Sequence, residues 1–196
     1  MRASSLLLAS NSPRRRELLT EAGFEFEIWS PDVAEKSDSE LTLREVTAFN
    51  AVRKAMAAAR MHPKTIVLAA DTLVAIDDEV LGKPDDMAHA VRMLTRLSGQ
   101  THEVCTSVFI CHLLSGRSIG FSEISGVRFR QLSRTQIDHY FARINPLDKA
   151  GAYAAQGFGA EIIEKIDGSF TNVVGLPMEK AVPALREFGI QPQRAG

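Results

Sequence analysis

The 196-residue sequence has almost no excess of charge. Its 23 lysines and arginines are balanced by 24 aspartates and glutamates, a formal net charge of -1. Nucleic acids and anionic membranes attract proteins through clustered positive charge, so this chain has no general attraction for either of them. Any anion-binding site must therefore be a local group of basic residues.

Long apolar runs are also missing. No stretch approaches the roughly 20 apolar residues of a membrane-spanning helix, and residues 6–9 are too few for the core of an export signal. Three arginines follow this run, whereas a signal peptide carries its positive charge before the apolar core. We expect a cytoplasmic protein with no membrane partner.

Cysteine is scarce: Cys105 and Cys111 are the only two, and both lie in a strand-like run. In a strand they would be roughly 20 Å apart, too far for a disulfide, which needs Cα atoms within about 7 Å. His102 and His112 have the opposite strand parity, which makes a metal cluster with the cysteines hard to build. We expect two buried, unpaired cysteines.

Repeats, low-complexity tracts and Pro/Gly-rich linkers are absent, so we expect residues 1–196 to form one domain. With 45% hydrophobic residues the chain can bury a sizeable core. Short β-like runs alternate with amphipathic helical stretches, a pattern that predicts an α/β fold.

Local signals predict the first elements. Residues 5–9 are expected to form a strand, Ser12 to cap a helix over 13–22, and residues 24–28 to form a half-buried strand. Thr42 and Glu45 make a capping box for a helix that ends near residue 61.

The apolar run 65–70 predicts a strand buried on both faces, with Asp71 at its carboxyl end, where α/β folds place ligands. The later predicted elements are a hairpin over 73–81, a helix between Pro84 and Gly99, a hairpin of two long strands over 102–132, a helix capped by Ser133, a strand over 162–166 and a helix from Pro177 that Pro183 should kink or divide. A polar loop over 30–40 and a disordered tail over 191–196 complete the prediction.

Three arginines at 14–16 stand in the first turn of a predicted helix, where backbone N–H groups already carry about half a positive charge. This arrangement becomes favourable if an anion binds there, held by free N–H groups, the Ser10 and Ser12 hydroxyls and the guanidinium groups. A solvated basic patch is the alternative. Asp71 likewise has two possible roles: it is a turn former, or it is a catalytic or metal-binding carboxylate.

Residues 8–19, which include Ser-Asn-Ser-Pro-Arg-Arg-Arg, closely resemble the N-terminal signature of the Maf family of nucleotide pyrophosphatases. Further blocks match in order at 53–55, 70–74 with 82–84, 148–153 with 156–157, and 168–177. Several ordered blocks are far more specific than one short motif. The resemblance implies a mixed twisted sheet flanked by helices, similar to inosine triphosphatases of the Maf/Ham1 type, with an active-site cleft between two lobes.

The family resemblance also implies hydrolysis of a nucleoside triphosphate to the monophosphate and pyrophosphate with a divalent cation, Mg²⁺ or Mn²⁺, in a homodimer. Asp148 and Lys149 with Gln156 resemble the subgroup that acts on dTTP and UTP. In that subgroup, positions matching Arg14, Thr72 and Gln156 are associated with substrate choice. The amide of Gln156 suits a pyrimidine, because it offers both a donor and an acceptor.

The resemblance implies these roles: Asp71 is a general base or a metal ligand, Glu35 shares the cation, and Lys54 and Lys83 neutralise the reacting phosphates. The implied substrate-binding residues are Ser10, Ser12, Arg14, Arg15, Thr72, Lys149 and Gln156. Lys149 either contacts phosphate or pairs with Asp148.

Two rival functions stay open at this point: a 7-methyl-GTP pyrophosphatase of the same family, and a nucleotide-binding regulator of septum formation. The chain also departs from the family pattern at Asn145, where glutamate is usual, and at Ser107, where glycine is common. Neither departure falls in the Arg14 or Asp71 block.

Overall fold

The computed structural model describes residues 5–36, 41–77 and 79–193. Parts of the predicted loop (37–40), of the first hairpin turn (Asp78) and of the C-terminal tail (194–196) lie outside the described residues. Within the described residues, seven strands form one mixed sheet, and helices pack on it. The predicted α/β class is therefore confirmed.

The strands are β1 (Leu6–Leu8), β2 (Glu27–Ile28), β3 (Ile66–Ile76), β4 (Glu79–Leu81), β5 (Thr101–His112), β6 (Arg117–Phe129) and β7 (Ile163–Asp167). The α-helices are α1 (Pro13–Glu21), α2 (Leu43–Met61), α3 (Met87–Leu97), α4 (Arg134–Phe141), α5 (Gly159–Ile162), α6 (Phe170–Val174) and α7 (Met178–Glu187). Short 3₁₀ turns occur at Leu113–Ser115 and Ala150–Ala152.

The sheet order is β2-β1-β3-β5-β6-β7, with β4 paired to β3. β1 runs parallel to β2 and β3, whereas β3, β5, β6 and β7 are joined by antiparallel pairings. The two long predicted hairpin strands are confirmed as β5 and β6, which pair from Thr101 to His112.

Local helix signals agree with the structure. Ser12 caps α1 with its side chain accepting from the Arg15 amide, and Thr42 forms a reciprocal capping box with Glu45 at the start of α2. Ser133 forms a second capping box for α4. Each signal is confirmed because a cap depends on residues three positions apart and needs no distant partner.

The half-buried strand expected over 24–28 is wrong in extent. Only Glu27–Ile28 pairs with β1, and the Ile28 side chain is 45% exposed although the alternation pointed it inward. β2 is an edge strand with one neighbour. Of the two phenylalanines before it, Phe24 is buried in the core, and Phe26 packs against the core while partly exposed.

The predicted end of the central strand at residue 70 is also wrong. β3 continues to Ile76, and Asp71 lies in its middle, paired with Ser107 of β5. The run predicted as one arm of a hairpin is the same strand, because β5 is long enough to pair with β3 from Val67 to Ala75. After β3 the chain turns back at Asp77 and continues into β4, which pairs with β3. Asp77 has a left-handed φ of 50°, a conformation that aspartate tolerates.

Pro183 does not divide the last helix, which runs from Met178 to Glu187. Pro183 lies on the exposed side of α7, whereas Ala181, Ala184 and Leu185 pack inward. The inward packing keeps the helix together despite the missing N–H donor.

Helices cover both faces of the central strands. Leu6 and Leu8 of β1 pack with α1 and α7, and Leu7 packs with the alanines of α2 on the other face. A third cluster joins α3 and α4 to the far part of the sheet. Cys105 and Cys111 are buried and unpaired, as expected. Among the helices described, none has the length and apolar content to cross a membrane.

Candidate active site

A cavity of about 440 Å³ opens between the turn before α1, the middle of β3 and the segment around the Ala150–Ala152 turn. The predicted site residues that line it are Ser10, Ser12, Arg14, Arg15, Glu35, Lys54, Asp71, Thr72 and Lys83. These residues come from five separate stretches of the chain. The fold therefore brings together most of the residues that were singled out from the sequence.

Lys149 and Gln156 do not line the cavity, although their neighbours Asp148, Ala150 and Ala155 do. Lys149 Nζ lies 2.6 Å from Asp148 Oδ1 and also donates to the Asn145 carbonyl. The ion pair with Asp148, one of the two roles left open for Lys149, is therefore present in the structure.

Lys54 lies between two carboxylates. Its Nζ is 2.7 Å from Asp71 Oδ1 and 2.7 Å from Glu35 Oε1. Lys54 projects from α2, Asp71 from β3 and Glu35 from the loop before α2, so three separate elements meet at one ammonium group. Asp71 is only 3% exposed, and its buried charge is compensated chiefly by Lys54.

The environment of Glu35 favours its charged form. Partial burial acts to raise the pKa of Glu35, but the hydrogen bond and charge of Lys54 oppose it, helped by the charges of Lys83 and Arg15. The net effect is a lowered pKa. A carboxylate therefore faces the cavity at neutral pH.

Arg15 is buried, and its guanidinium group is hydrogen-bonded within the protein. Its Nε donates to the Gly175 carbonyl at 2.8 Å, Nη1 to Ser10 Oγ at 3.1 Å and Nη2 to Thr72 Oγ1 at 2.9 Å. Burial lowers its pKa, with Arg14 adding to that effect and Asp71 and Glu35 opposing it. Gly175 has a φ of +124°, a backbone conformation that suits glycine.

Arg14 is the more available cation. It is half-buried on the cavity wall, and its side chain has no hydrogen bond or ion pair with any residue in the described ranges. The free amides expected beside it are partly used, because Ser10 Oγ accepts from the Ser12 amide and Ser12 Oγ accepts from the Arg15 amide. An anion here would be bound largely by side chains.

Two residues that were not predicted to belong to the site, Asn172 and Thr106, connect the elements around Thr72 and Arg15. Asn172 is fully buried, and its side chain bonds the Thr106 amide, the Val104 carbonyl and the Ser125 hydroxyl. Thr106 Oγ1 lies 2.9 Å from Thr72 Oγ1, next to Arg15. The signal available in the sequence was Asn172 itself, a polar residue inside the apolar part of the block 168–177.

Glu35 and Asp71 provide two carboxylates that are held close together by the Lys54 ammonium group, which contacts both. Within the residues described, no group of three or more His, Cys, Asp or Glu side chains is arranged to hold a metal ion. Mg²⁺ is commonly bound by one or two carboxylates together with substrate phosphates and water. The residues present fit such a substrate-assisted cation site.

His102 is buried behind the cavity wall. Its Nε2 lies 2.8 Å from the Tyr153 hydroxyl, and its Nδ1 has no hydrogen-bond partner among the residues described. Burial lowers the pKa of His102 from 6.5 to about 4 and raises the pKa of Tyr153, to which the nearby Tyr140 adds. Both groups are neutral at physiological pH.

Acid is expected to destabilise the protein through His102. Above about pH 6.5 the imidazole is neutral in both states, but between pH 6.5 and 4 only the unfolded chain binds the proton. The free energy of unfolding should fall through this window, by up to about 3 kcal/mol. Urea unfolding of wild type and His102→Gln at pH 7 and pH 4.5 measures this loss.

The His102→Gln variant should lose about 2 kcal/mol less stability than wild type between these two pH values. His112→Gln, at the other end of β5, is the control for replacing a histidine in this strand. If wild type and His102→Gln lose the same stability between these pH values, His102 is protonated in the folded state as readily as in the unfolded chain.

The sequence is similar to those of known proteins over nearly its whole length. The family model described as Maf-like protein matches residues 5–188. A dTTP/UTP pyrophosphatase of Bacillus pumilus is 44% identical over 96% of this chain and 99% of the relative. Proteins of the same name are 45% identical in Symbiobacterium thermophilum (94% of each chain) and 39% identical in Desulforamulus reducens (95% and 97%).

Among solved structures, a HAM1 protein from Coxiella burnetii aligns with a TM-score of 0.48 and 15% identity, over 67% of this chain and 75% of that one. The family model covers nearly all of the chain, including every residue that lines the cavity. The chain therefore belongs to the Maf family.

Proposed function

We propose that this protein hydrolyses dTTP and UTP to the monophosphate and pyrophosphate. The observation that carries the proposal is the cavity, which gathers Asp71, Lys54, Glu35, Lys83 and Arg14 around one space. Support also comes from relatives with 39–45% identity over nearly their whole length that are named dTTP/UTP pyrophosphatases.

Asp71 acts as the general base. Its carboxylate lies on the cavity wall, with Oδ1 bound to Lys54 and Oδ2 bound to Asn50. A water molecule attacks the α-phosphorus while Asp71 accepts its proton; an O–P bond forms, the bond from the α-phosphorus to the bridging oxygen breaks, and pyrophosphate leaves. A buried carboxylate held by two donors has the fixed orientation that this proton transfer needs.

The basic residues neutralise the triphosphate. Lys83 is exposed at the cavity rim and Arg14 lines the wall, so both can reach phosphate oxygens without giving up a described protein partner. Phosphoryl transfer gains most from charge placed at the leaving phosphates. Lys54 holds the two carboxylates in position, and Arg15 keeps Ser10 and Thr72 in place.

A divalent cation, Mg²⁺ or Mn²⁺, would be held by Glu35 and Asp71 together with substrate phosphates. When bound, it would withdraw negative charge from the phosphate oxygens. Gln156 is half-buried next to Ala155 of the cavity wall, and we propose that it reads the pyrimidine edge when a nucleotide is bound. Thr72 and Arg14 would contribute to that choice.

A panel of triphosphates tests the substrate. Pyrophosphate release from dTTP, UTP, CTP, dATP, GTP and 7-methyl-GTP is measured with Mg²⁺ and with Mn²⁺, and kcat/KM is expected to be highest for dTTP and UTP. A preference for 7-methyl-GTP would assign the chain to the other substrate class. Absence of turnover across the whole panel would favour the septum-formation regulator instead.

We also propose that residues 1–196 act as one domain and that the protein is a homodimer, as the family resemblance implies. A cytoplasmic location likewise stays a prediction from composition. Sedimentation at micromolar concentration would contradict the dimer if it showed only monomer.

A further inference from the structure

Asn50 is a buried polar residue in the middle of α2 and is only 2% exposed. With Thr47 and Lys54 it occupies positions i, i+3 and i+7 of one helical face, which turns toward β3 and β5. Helix interiors favour apolar residues at such positions. A buried asparagine is expected only where its amide has partners.

The Asn50 amide has three partners. Its Nδ2 donates to Asp71 Oδ2 and to the Lys36 carbonyl, each at 3.1 Å, and its Oδ1 accepts from the Lys36 amide at 2.9 Å. One side chain therefore joins the carboxylate on β3 to the backbone of the loop that carries Glu35.

Two further residues of α2 fasten the same loop. Arg53 donates to the Ala34 carbonyl at 2.9 Å, and Lys54 binds the Glu35 carboxylate. Asn50 differs from Arg53 because it also touches Asp71. Lys54 alone binds only one of the two carboxylate oxygens of Asp71, so the carboxylate could still rotate about that single contact.

We propose that Asn50 is a positioning residue that fixes the orientation of the Asp71 carboxylate relative to the Glu35 loop. It does not contact the reacting atoms itself. Hydrogen-bonding partners behind a ligating or catalytic carboxylate typically contribute about 10- to 100-fold to activity. This inference rests on the proposed pyrophosphatase function.

Two variants test the role of Asn50. Asn50→Leu keeps the size of the side chain and removes all three hydrogen bonds. Asn50→Asp keeps the acceptor for the Lys36 amide but replaces the donor to Asp71 by a second carboxylate oxygen. At saturating Mg²⁺ both are expected to lower kcat for dTTP by about 10- to 100-fold, with KM changed by less than about threefold.

Thr47→Val is the matched control. Thr47 is fully buried one turn earlier on the same face, and its hydroxyl contacts Ser107 at 2.7 Å instead of Asp71. The substitution is expected to lower the melting temperature while leaving kcat within about threefold of wild type. A common loss of kcat in Thr47→Val and the Asn50 variants would mean that only the packing of α2 matters, and would overturn the proposal.

Crystal structures of the Asn50 variants give a readout that does not need turnover. We expect the Asp71 carboxylate to rotate away from its wild-type position in both. If wild type releases no pyrophosphate from any triphosphate, the proposed function fails, and the structures alone decide whether Asn50 orients Asp71. An unmoved carboxylate, or a kcat of Asn50→Asp near that of wild type, would overturn the inference.

Discussion

Replacing Asp71 by asparagine is expected to lower kcat for pyrophosphate release from dTTP by roughly 10²- to 10⁴-fold. The amide has nearly the same shape as the carboxylate and keeps one oxygen acceptor for Lys54 or Asn50, but it cannot accept the proton of the attacking water. The loss should appear in kcat with either Mg²⁺ or Mn²⁺ at saturation. Initial rates across a range of dTTP concentrations measure it.

Asp77→Asn is the matched control for this substitution. Asp77 lies six residues later, at the turn between β3 and β4, and it does not line the active-site cavity. Asparagine accepts its left-handed φ of 50° as readily as aspartate does. Near wild-type turnover in Asp71→Asn, with folding intact by circular dichroism, would exclude Asp71 as the base.

Replacing Lys54 by methionine is expected to lower the free energy of unfolding by about 3–5 kcal/mol. Methionine keeps much of the aliphatic side chain but leaves the buried Asp71 carboxylate without the Lys54 cation. Among the described residues, the hydrogen bond from Asn50 remains. The partner Glu35 is about half exposed, so losing that second contact adds little. Urea unfolding at pH 7.5 measures the difference.

The double variant Lys54→Met/Asp71→Asn separates charge from packing. Removing both charges should restore most of the lost stability, because no buried carboxylate is left unpaired. Activity should stay as low as in Asp71→Asn. Lys64→Met, an exposed lysine after α2, is the control and should change stability by less than about 0.5 kcal/mol.

If the double variant is no more stable than Lys54→Met, then the loss comes from the packing of α2 and the uncompensated charge of Asp71 is unimportant. That result would also weaken the view that Lys54 serves to hold Asp71 and Glu35 together. Stability and activity therefore give independent readings of the same three-residue contact.

Local elements of this fold could be predicted where the signal is local. The caps at Ser12, Thr42 and Ser133 and the long hairpin of β5 and β6 are confirmed, because each depends on residues close together in sequence. The end of β3 was missed. Its length is set by pairing with β5, about 35 residues further along the chain, and no local pattern encodes that partner.

The site shows the same division between residue identity and arrangement. Family blocks in the sequence singled out Asp71, Lys54 and Arg14. Glu35 lies outside these blocks and was predicted only to share the cation, and the cavity brings all four together. The different contacts that these side chains make could not be predicted from the sequence. Arg14 and Arg15 are adjacent in a basic run and both line the cavity, but α1 turns successive side chains by about 100°. Arg15 is therefore buried and bound within the protein, whereas the Arg14 side chain has no partner among the described residues.

The sequence by itself determined the balanced charge, the separation of the two cysteines, the alternation of helices and strands, and the identity of the predicted site residues that line the cavity. Only the tertiary structure decided that Asp71 lies inside a strand, that Lys54 joins it to Glu35 and that Asn50 holds it from behind. The physical reason is the separation along the chain of the residues that interact. Helix caps and side-chain periodicity act over a few residues, whereas these contacts join positions 17 to 21 residues apart, on three different elements.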